Sequence, residues 1–264
     1  MTHSDAFLRD ILNHPDDDAP RLIFADWLEE QGDAASVARA EFIRVQCVLA
    51  AGQLSDLRRA ELEKRENQIL NEYGSQWARP IRRLVQTWEF HRGFIDAVEM
   101  GEHEFHARAI QLFSRAPIQH LRLDVNPARA PLNMAALADN WQLRNLRSLD
   151  LSANELESRD VRAFVVSEHL TNLIVLDLSH NRIGDSGIRA LASSPLLGRL
   201  EHLKLRYNDI GANGLRALAH ALEKFDRTPE RLRLRRLEVY HNNFSVAGLR
   251  VIAESPLLRR LVRG

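Results

Sequence analysis

Three places in the sequence combine residue types used by catalysis or metal binding. Asp16, Asp17 and Asp18 stand together in DDDAPRL. A calcium loop spaces its oxygens over about 12 residues, with a turn glycine and a distal Glu. DDDAPRL has neither, so helix capping and favourable placement near a helix N-terminus account for the three acids. In EHEFH, His103 and His106 are three residues apart. A zinc-holding helix sets its histidines four apart and needs a third ligand, so this pair reads as surface histidines. Asp177, Ser179 and His180 are the types of a hydrolytic triad, but a triad needs the His between acid and nucleophile, together with an oxyanion hole. The same column one repeat earlier reads Asp150, Ser152 and Ala153, which points to repeat composition.

Cys47, between Gln46 and Val48 on an apolar helix, reads as a small core residue. The 12 glycines are scattered and form no phosphate-binding loop. No catalytic, cofactor-binding or metal-binding residue is therefore assigned, and no cofactor is expected. Asp26 is the polar exception within the apolar run LIFADWL. A buried carboxylate needs a partner, and Arg39 or Arg44 of the following helix is expected to supply it.

The elements that carry these residues are set by an internal repeat. LRSLDLSANEL from Leu146, LIVLDLSHNRI from Leu173, LEHLKLRYNDI from Leu200 and LRRLEVYHNNF from Leu234 align without gaps, and IQHLRLDVNPA from Ile118 fits with a weaker end. The shared Asn falls at 126, 154, 181, 208 and 242, at spacings of 28, 27, 27 and 34. Leu149/Leu151, Leu176/Leu178, Leu203/Leu205 and Leu237/Val239 alternate with polar neighbours, as in a short strand with one buried side. The Asn amide can satisfy backbone groups that the following turn leaves free, and stacked repeats would make a ladder of such bonds. Between the strands, Ile188, Leu191 and Ala192 have the i, i+3, i+4 spacing of a buried helical face. Asp185 is the expected cap of that helix, and Pro195 should disturb its last turn. The long spacing places an insertion at 223–233.

The array resembles leucine-rich repeats, with a period similar to the ribonuclease-inhibitor type. The resemblance implies an α/β leucine-rich repeat solenoid, with parallel strands on a concave face and helices on a convex face. Residues 118–264 are the expected array and 87–117 its strand-helix N-terminal cap. SPLLRRLVRG stops soon after the final helix, so that helix itself or a partner is expected to close that end.

Ahead of the array, an all-α helical bundle is expected. Phe7, Leu8, Ile11 and Leu12 share one helical face. Asp18 is the expected cap of a second helix that starts with Pro20 and ends before Gly32. Its apolar girth places it in the middle of the bundle. A third helix spans about Val37 to Ala50, and a long charged one runs from Ser55 to Trp77. RLIFADWLEEQGD and RAEFIRVQ resemble the repeat-companion domain that precedes repeat arrays in certain bacteria. That resemblance covers 1–52, leaves 53–86 as a connecting helix or linker, and implies no activity.

Composition limits the partners. The 264 residues are 45% hydrophobic, and 36 basic residues balance 36 acidic ones, so no global field favours nucleic acid or anionic lipid. The ends differ: residues 1–33 carry a net charge of −7 and residues 226–264 one of +5. This opposition permits head-to-tail association. One cysteine excludes an internal disulfide and a Cys-based zinc site. No stretch approaches the roughly 18 apolar residues of a membrane helix, and no leader is evident, so a cytoplasmic protein is expected.

The outward strand residues form a central column of Arg122, Asp150, Asp177, Lys204 and Glu238. A flanking column holds Asp124, Ser152, Ser179, Arg206 and Tyr240, with His180, Tyr207 and His241 beyond it. The expected function is a non-enzymatic protein-protein interaction module or adaptor, binding a protein partner through Asp150, Asp177, Lys204, Arg206, Tyr207, Glu238 and Tyr240. The alternatives are nucleic-acid binding through the Arg-rich RTPERLRLRR region, which the acidic N-terminal part disfavours, and a subunit of an enzyme complex without its own active site.

Overall fold

The structure is a computed structural model and describes residues 3–124, 132–226 and 232–263. The chain divides into two compact units: Met1–Glu99 with Arg108–Ile118, and Met100–Ala107 with Gln119–Gly264. The boundary thus passes through the strand and helix expected to cap the array.

The first unit opens with α1 (His3–Asn13), α2 (Ala19–Glu30), α3 (Ala34–Ala51) and α4 (Asp56–Trp77). Ile11, Phe24, Ala25, Leu28, Ala40, Ile43 and Cys47 close one core with Phe94, and Phe7, Leu8 and Trp27 pack against it. The α2 helix differs from expectation in two ways. Asp18 makes no capping bond; Asp17 Oδ1 accepts from Ala19 N at 2.9 Å instead, while Asp18 faces Arg92 at 3.5 Å. Leu22 and Ile23 are exposed, so the helix is not enclosed on all sides. Its core face is Phe24, Ala25 and Leu28. Arg21 is buried, donating to Asp17 O and Pro15 O at 2.6 and 2.8 Å, which satisfies carbonyls at the preceding turn.

The α3 helix begins at Ala34 rather than Val37, because Asp33 accepts from Ala35 N and Ser36 N at 3.1 and 3.0 Å. This N-cap satisfies two of the four donors that a helix start leaves unpaired. Phe42 packs on Trp77 of α4, with ring centroids 5.0 Å apart.

A hairpin of β1 (Thr87–His91) and β2 (Phe94–Gly101) follows. Its first strand was not expected. Arg92 and Gly93 turn with φ of 49° and 82°. A Cβ at Gly93 would run into Ile43, so glycine serves both the turn and the close approach. Gln46 locks the same turn, accepting from Gly93 N at 2.6 Å and donating to Phe90 O at 3.0 Å. After β2 comes α5 (Glu102–Phe113).

The second unit carries the repeats: β3 (His120–Asp124), α6 (Met134–Ala138), β4 (Ser148–Asp150), α7 (Ser158–Phe164), β5 (Val175–Asp177), α8 (Gly184–Ala192), α9 (Leu196–Arg199), β6 (His202–Lys204), α10 (Ala212–Asp226), β7 (Arg236–Glu238), α11 (Val246–Glu254) and α12 (Pro256–Arg263). Strands β3 to β7 pair in sequence order, all parallel. Their inward leucines, together with Ile188, Leu191, Leu215, Leu218 and Leu222 from the helices, are almost completely buried. Parallel strands joined by helices at this period are the physical meaning of the repeat: no single strand-helix unit can bury its apolar side alone. Ile183 holds the N-cap position of α8, and Asp185 sits in its first turn. Instead of capping its own helix, Asp185 accepts from Gly211 N of the next repeat at 2.7 Å. Pro195 stands at the start of α9, after α8 has ended at Ala192. PLLRRLVR does not trail the last helix; it forms α12, with Leu258 and Leu261 buried.

The asparagine ladder is present. Asn181 Oδ1 accepts from Asn154 N and Leu156 N, both at 3.0 Å, and its Nδ2 donates to Leu151 O and Leu178 O at 3.0 and 2.9 Å. Asn242 repeats the pattern on Asn208 N and Ile210 N at 2.8 and 3.1 Å. Asn208 departs from it: it donates to Leu178 O at 2.7 Å, but its Oδ1 has no partner, because Asn181 N bonds to Tyr207 O instead. Asn126 and residues 227–231 of the insertion lie outside the described residues.

Candidate interaction surface

Strand register builds the surface. The pairs Arg122 with Asp150, Asp150 with Asp177, Asp177 with Lys204, and Lys204 with Glu238 place the expected central column in one row. Neighbours in this row are one strand spacing apart, roughly 4.8 Å, so their charges are within pairing range. Lys204 meets Asp177 at 3.2 Å and Arg122 meets Asp150 at 3.9 Å.

Glu238 is the centre of a larger cluster: His202, Arg206 and Arg236 approach its carboxylate at 2.9, 2.5 and 3.1 Å. They leave it 3% exposed. The row is therefore not a free acidic field in the middle. Its carboxylates are already engaged, and Glu238 is closed off beneath its own cations. Asp150 and Asp177 have a second task, since their Oδ1 atoms accept from Ser152 N and Ser179 N at 2.8 and 2.9 Å. These are the local turns that Asp favours.

Aromatic groups stay open beside the row. Tyr207 and Tyr240 are 44% and 39% exposed, and the Arg206 guanidinium lies 5.5 Å from the Tyr240 ring centroid. His180, Tyr207 and His241 stack in a ladder with centroids 4.4 and 4.5 Å apart. Each sits at a positive φ between 53° and 59°. The repeat puts them in one column directly before the ladder asparagines, and the strand spacing is close to that of stacked rings. Sequence reading named these residues without seeing the stack; their shared column was the signal. It missed His202 and Arg236 around Glu238: His202 lies 36 positions away and meets it only once the register of β6 and β7 is fixed, whereas Arg236, two residues before Glu238 on β7, follows from the strand's period of two.

The residues considered for chemistry fall elsewhere. Asp177, Ser179 and His180 do not form a relay: Ser179 is buried, its N–H is held by Asp177, and the His180 ring stacks on Tyr207. His106 pairs with Glu102 at 3.1 Å on the same helix, not with His103. Among the described residues, no three His, Cys, Asp or Glu side chains are arranged to hold a metal ion. Cys47 is buried and reduced, and burial pushes its thiol up to about 12.

Asp26 does pair with Arg44, at 2.7 Å, but its side chain is 69% exposed and Arg44 also meets Glu29 at 2.6 Å. The pair expected inside the bundle is on the surface because Asp26 lies on the open side of α2. Arg39, the other expected partner, is instead enclosed by rings, 4.4 Å from the Trp77 centroid and 5.2 Å from that of Phe94. Burial lowers the pKa of its guanidinium, and the ring faces partly compensate for the lost water.

No helix among the described residues is long and apolar enough to cross a membrane. A search of the curated proteins returned no match. Residues 144–210, the segment in which register, buried leucines and the asparagine ladder are all on view, match the family described as Leucine rich repeat, which supports a leucine-rich repeat array there.

Proposed function

We propose that the chain is a non-enzymatic interaction module, an adaptor that docks a protein partner across the outward face of its repeats. In this reading residues 118–264 form a solenoid of the ribonuclease-inhibitor type and the strands line its concave side. Residues 87–117 cap it, and residues 1–52 are an all-α companion domain joined through 53–86. The protein acts in the cytoplasm.

The observation that carries the proposal is the pair of open tyrosines. Tyr207 and Tyr240 stay exposed beside Arg206, among side chains whose charges are already neutralised. Aromatic residues and Arg next to satisfied charge are the composition of interface hot spots. Of the seven residues expected to make contact, Asp150, Asp177, Lys204, Arg206, Tyr207 and Tyr240 form the contact set, with Arg206, Tyr207 and Tyr240 giving most of the affinity; Glu238, covered by its cations, holds Arg206 in place and does not itself meet the partner.

Affinity capture from native lysate tests this. Reversing the charges of Asp177 and Arg206 would also break their pairs with Lys204 and Glu238. Tyr207→Ala with Tyr240→Ala leaves those pairs intact. Proteins retained by the wild type should be lost by the tyrosine variant, at roughly 2 kcal/mol or more for each hot-spot ring. Equal retention would overturn the assignment.

A further inference from the structure

A second pair of surfaces lies away from the strand row. On α2, Leu22 and Ile23 are 39% and 55% exposed. At about 100° per residue they share one arc of the helix with Asp26, Glu29 and Glu30, all of them exposed. Among the described residues Arg44 is the one cation bonded to both Asp26 and Glu29, so this face keeps a negative surplus.

On α11, Val246 and Leu249 are 76% and 59% exposed and share an arc with Arg250. Glu254, exposed one turn beyond Arg250, offsets its charge, and Arg259 and Arg260 on the exposed side of α12, which packs on α11, leave a positive surplus. Each face therefore combines two large aliphatic side chains with a surplus of one charge sign, and the signs are opposite. The wider segments agree, with a net of −7 over residues 1–33 against +5 over 226–264.

We infer that the α2 face of one copy docks on the α11 face of a second copy. Like faces repel, so a two-fold contact of α2 with α2, or of α11 with α11, is disfavoured. Unlike faces attract and bring their aliphatic side chains together. Such a contact is heterologous: each copy offers a head and a tail, and association continues until it closes or stops. The zero net charge of the chain adds no overall repulsion against this.

Sedimentation of the full chain is the test. The weight-average mass should rise with protein concentration at about 0.01 M salt and fall back to one chain near 1 M, where the screening length shrinks from roughly 30 to 3 Å. A head variant, Ile23→Ser with Glu30→Gln, and a tail variant, Leu249→Ser with Arg250→Gln, change only exposed side chains. Each alone should stay monomeric at low salt. Mixed in equal amounts they should form a 1:1 dimer and nothing larger, because the mixture restores one working contact and no second. A wild type that is monomeric at every concentration overturns the inference. So do variants that still self-associate alone, and a mixture that stays monomeric or grows beyond the dimer.

Discussion

Replacing Asn181 by Ala removes a side chain that holds two adjacent repeats at once. Its Oδ1 is the acceptor for Asn154 N and Leu156 N, and its Nδ2 the donor to Leu151 O, Leu178 O and Ser179 O. The residue is 5% exposed, so water does not readily replace the amide. Two buried N–H groups left unpaired cost about 1–3 kcal/mol each, or about 2–6 kcal/mol together. That is a large share of the roughly 5–15 kcal/mol that stabilises a domain.

Asn208→Ala is the internal comparison. Its Oδ1 accepts nothing, and Leu178 O, which its Nδ2 reaches, also receives Asn181 Nδ2. Its cost should be smaller by about 2 kcal/mol or more. Urea unfolding followed by far-ultraviolet circular dichroism measures both, and amide exchange at Leu156 reports the local loss directly. If the two substitutions cost the same, or if Asn181→Ala costs less than about 1 kcal/mol, the ladder is not what holds the repeats in register.

Two further outcomes follow from the first unit. Asp26→Ala should change the melting temperature little, within about 1 kcal/mol, because the pair is exposed and Arg44 keeps Glu29; a loss well beyond that in a thermal scan would restore the buried ion pair. Cys47 should react with a thiol reagent at pH 8 only as fast as the protein opens, and fully once it is denatured. Its thiol is raised from 9.0 to about 12 in the fold. The unfolded chain therefore ionises first, and the Cys47 contribution to stability is present below pH 9.0 and lost as pH rises towards about 12. Rapid labelling of the native protein, or a Cys47→Ala variant with the same alkaline loss of stability, would contradict this.

Repeats are legible in a sequence because each strand and turn makes the same demands in every copy. The leucine alternation, the column of asparagines and the row from Arg122 to Glu238 follow from aligning the segments. Parallel in-register pairing then carries each column across the sheet. The helical segments before the array were readable for the same reason, since spacing and stop signals are local. The β1 strand was harder. Its turn is made by Arg92 and Gly93, and the need for glycine comes from Ile43, which is far away in the chain.

The sequence by itself determined the period, the buried side of each repeat and the identity of the outward columns. Tertiary structure decided what those outward residues do with their charges. Glu238 is an open acid in the sequence and a covered one in the fold, because His202 and Arg206 join Arg236 of its own strand around it only when β6 and β7 lie side by side. Arg39 and Asp26 show the same limit. Which residue is enclosed by Trp77 and Phe94 and which faces water depends on how α2 and α3 are rotated about their axes. That rotation is set by the shape of the whole core, and local spacing does not contain it.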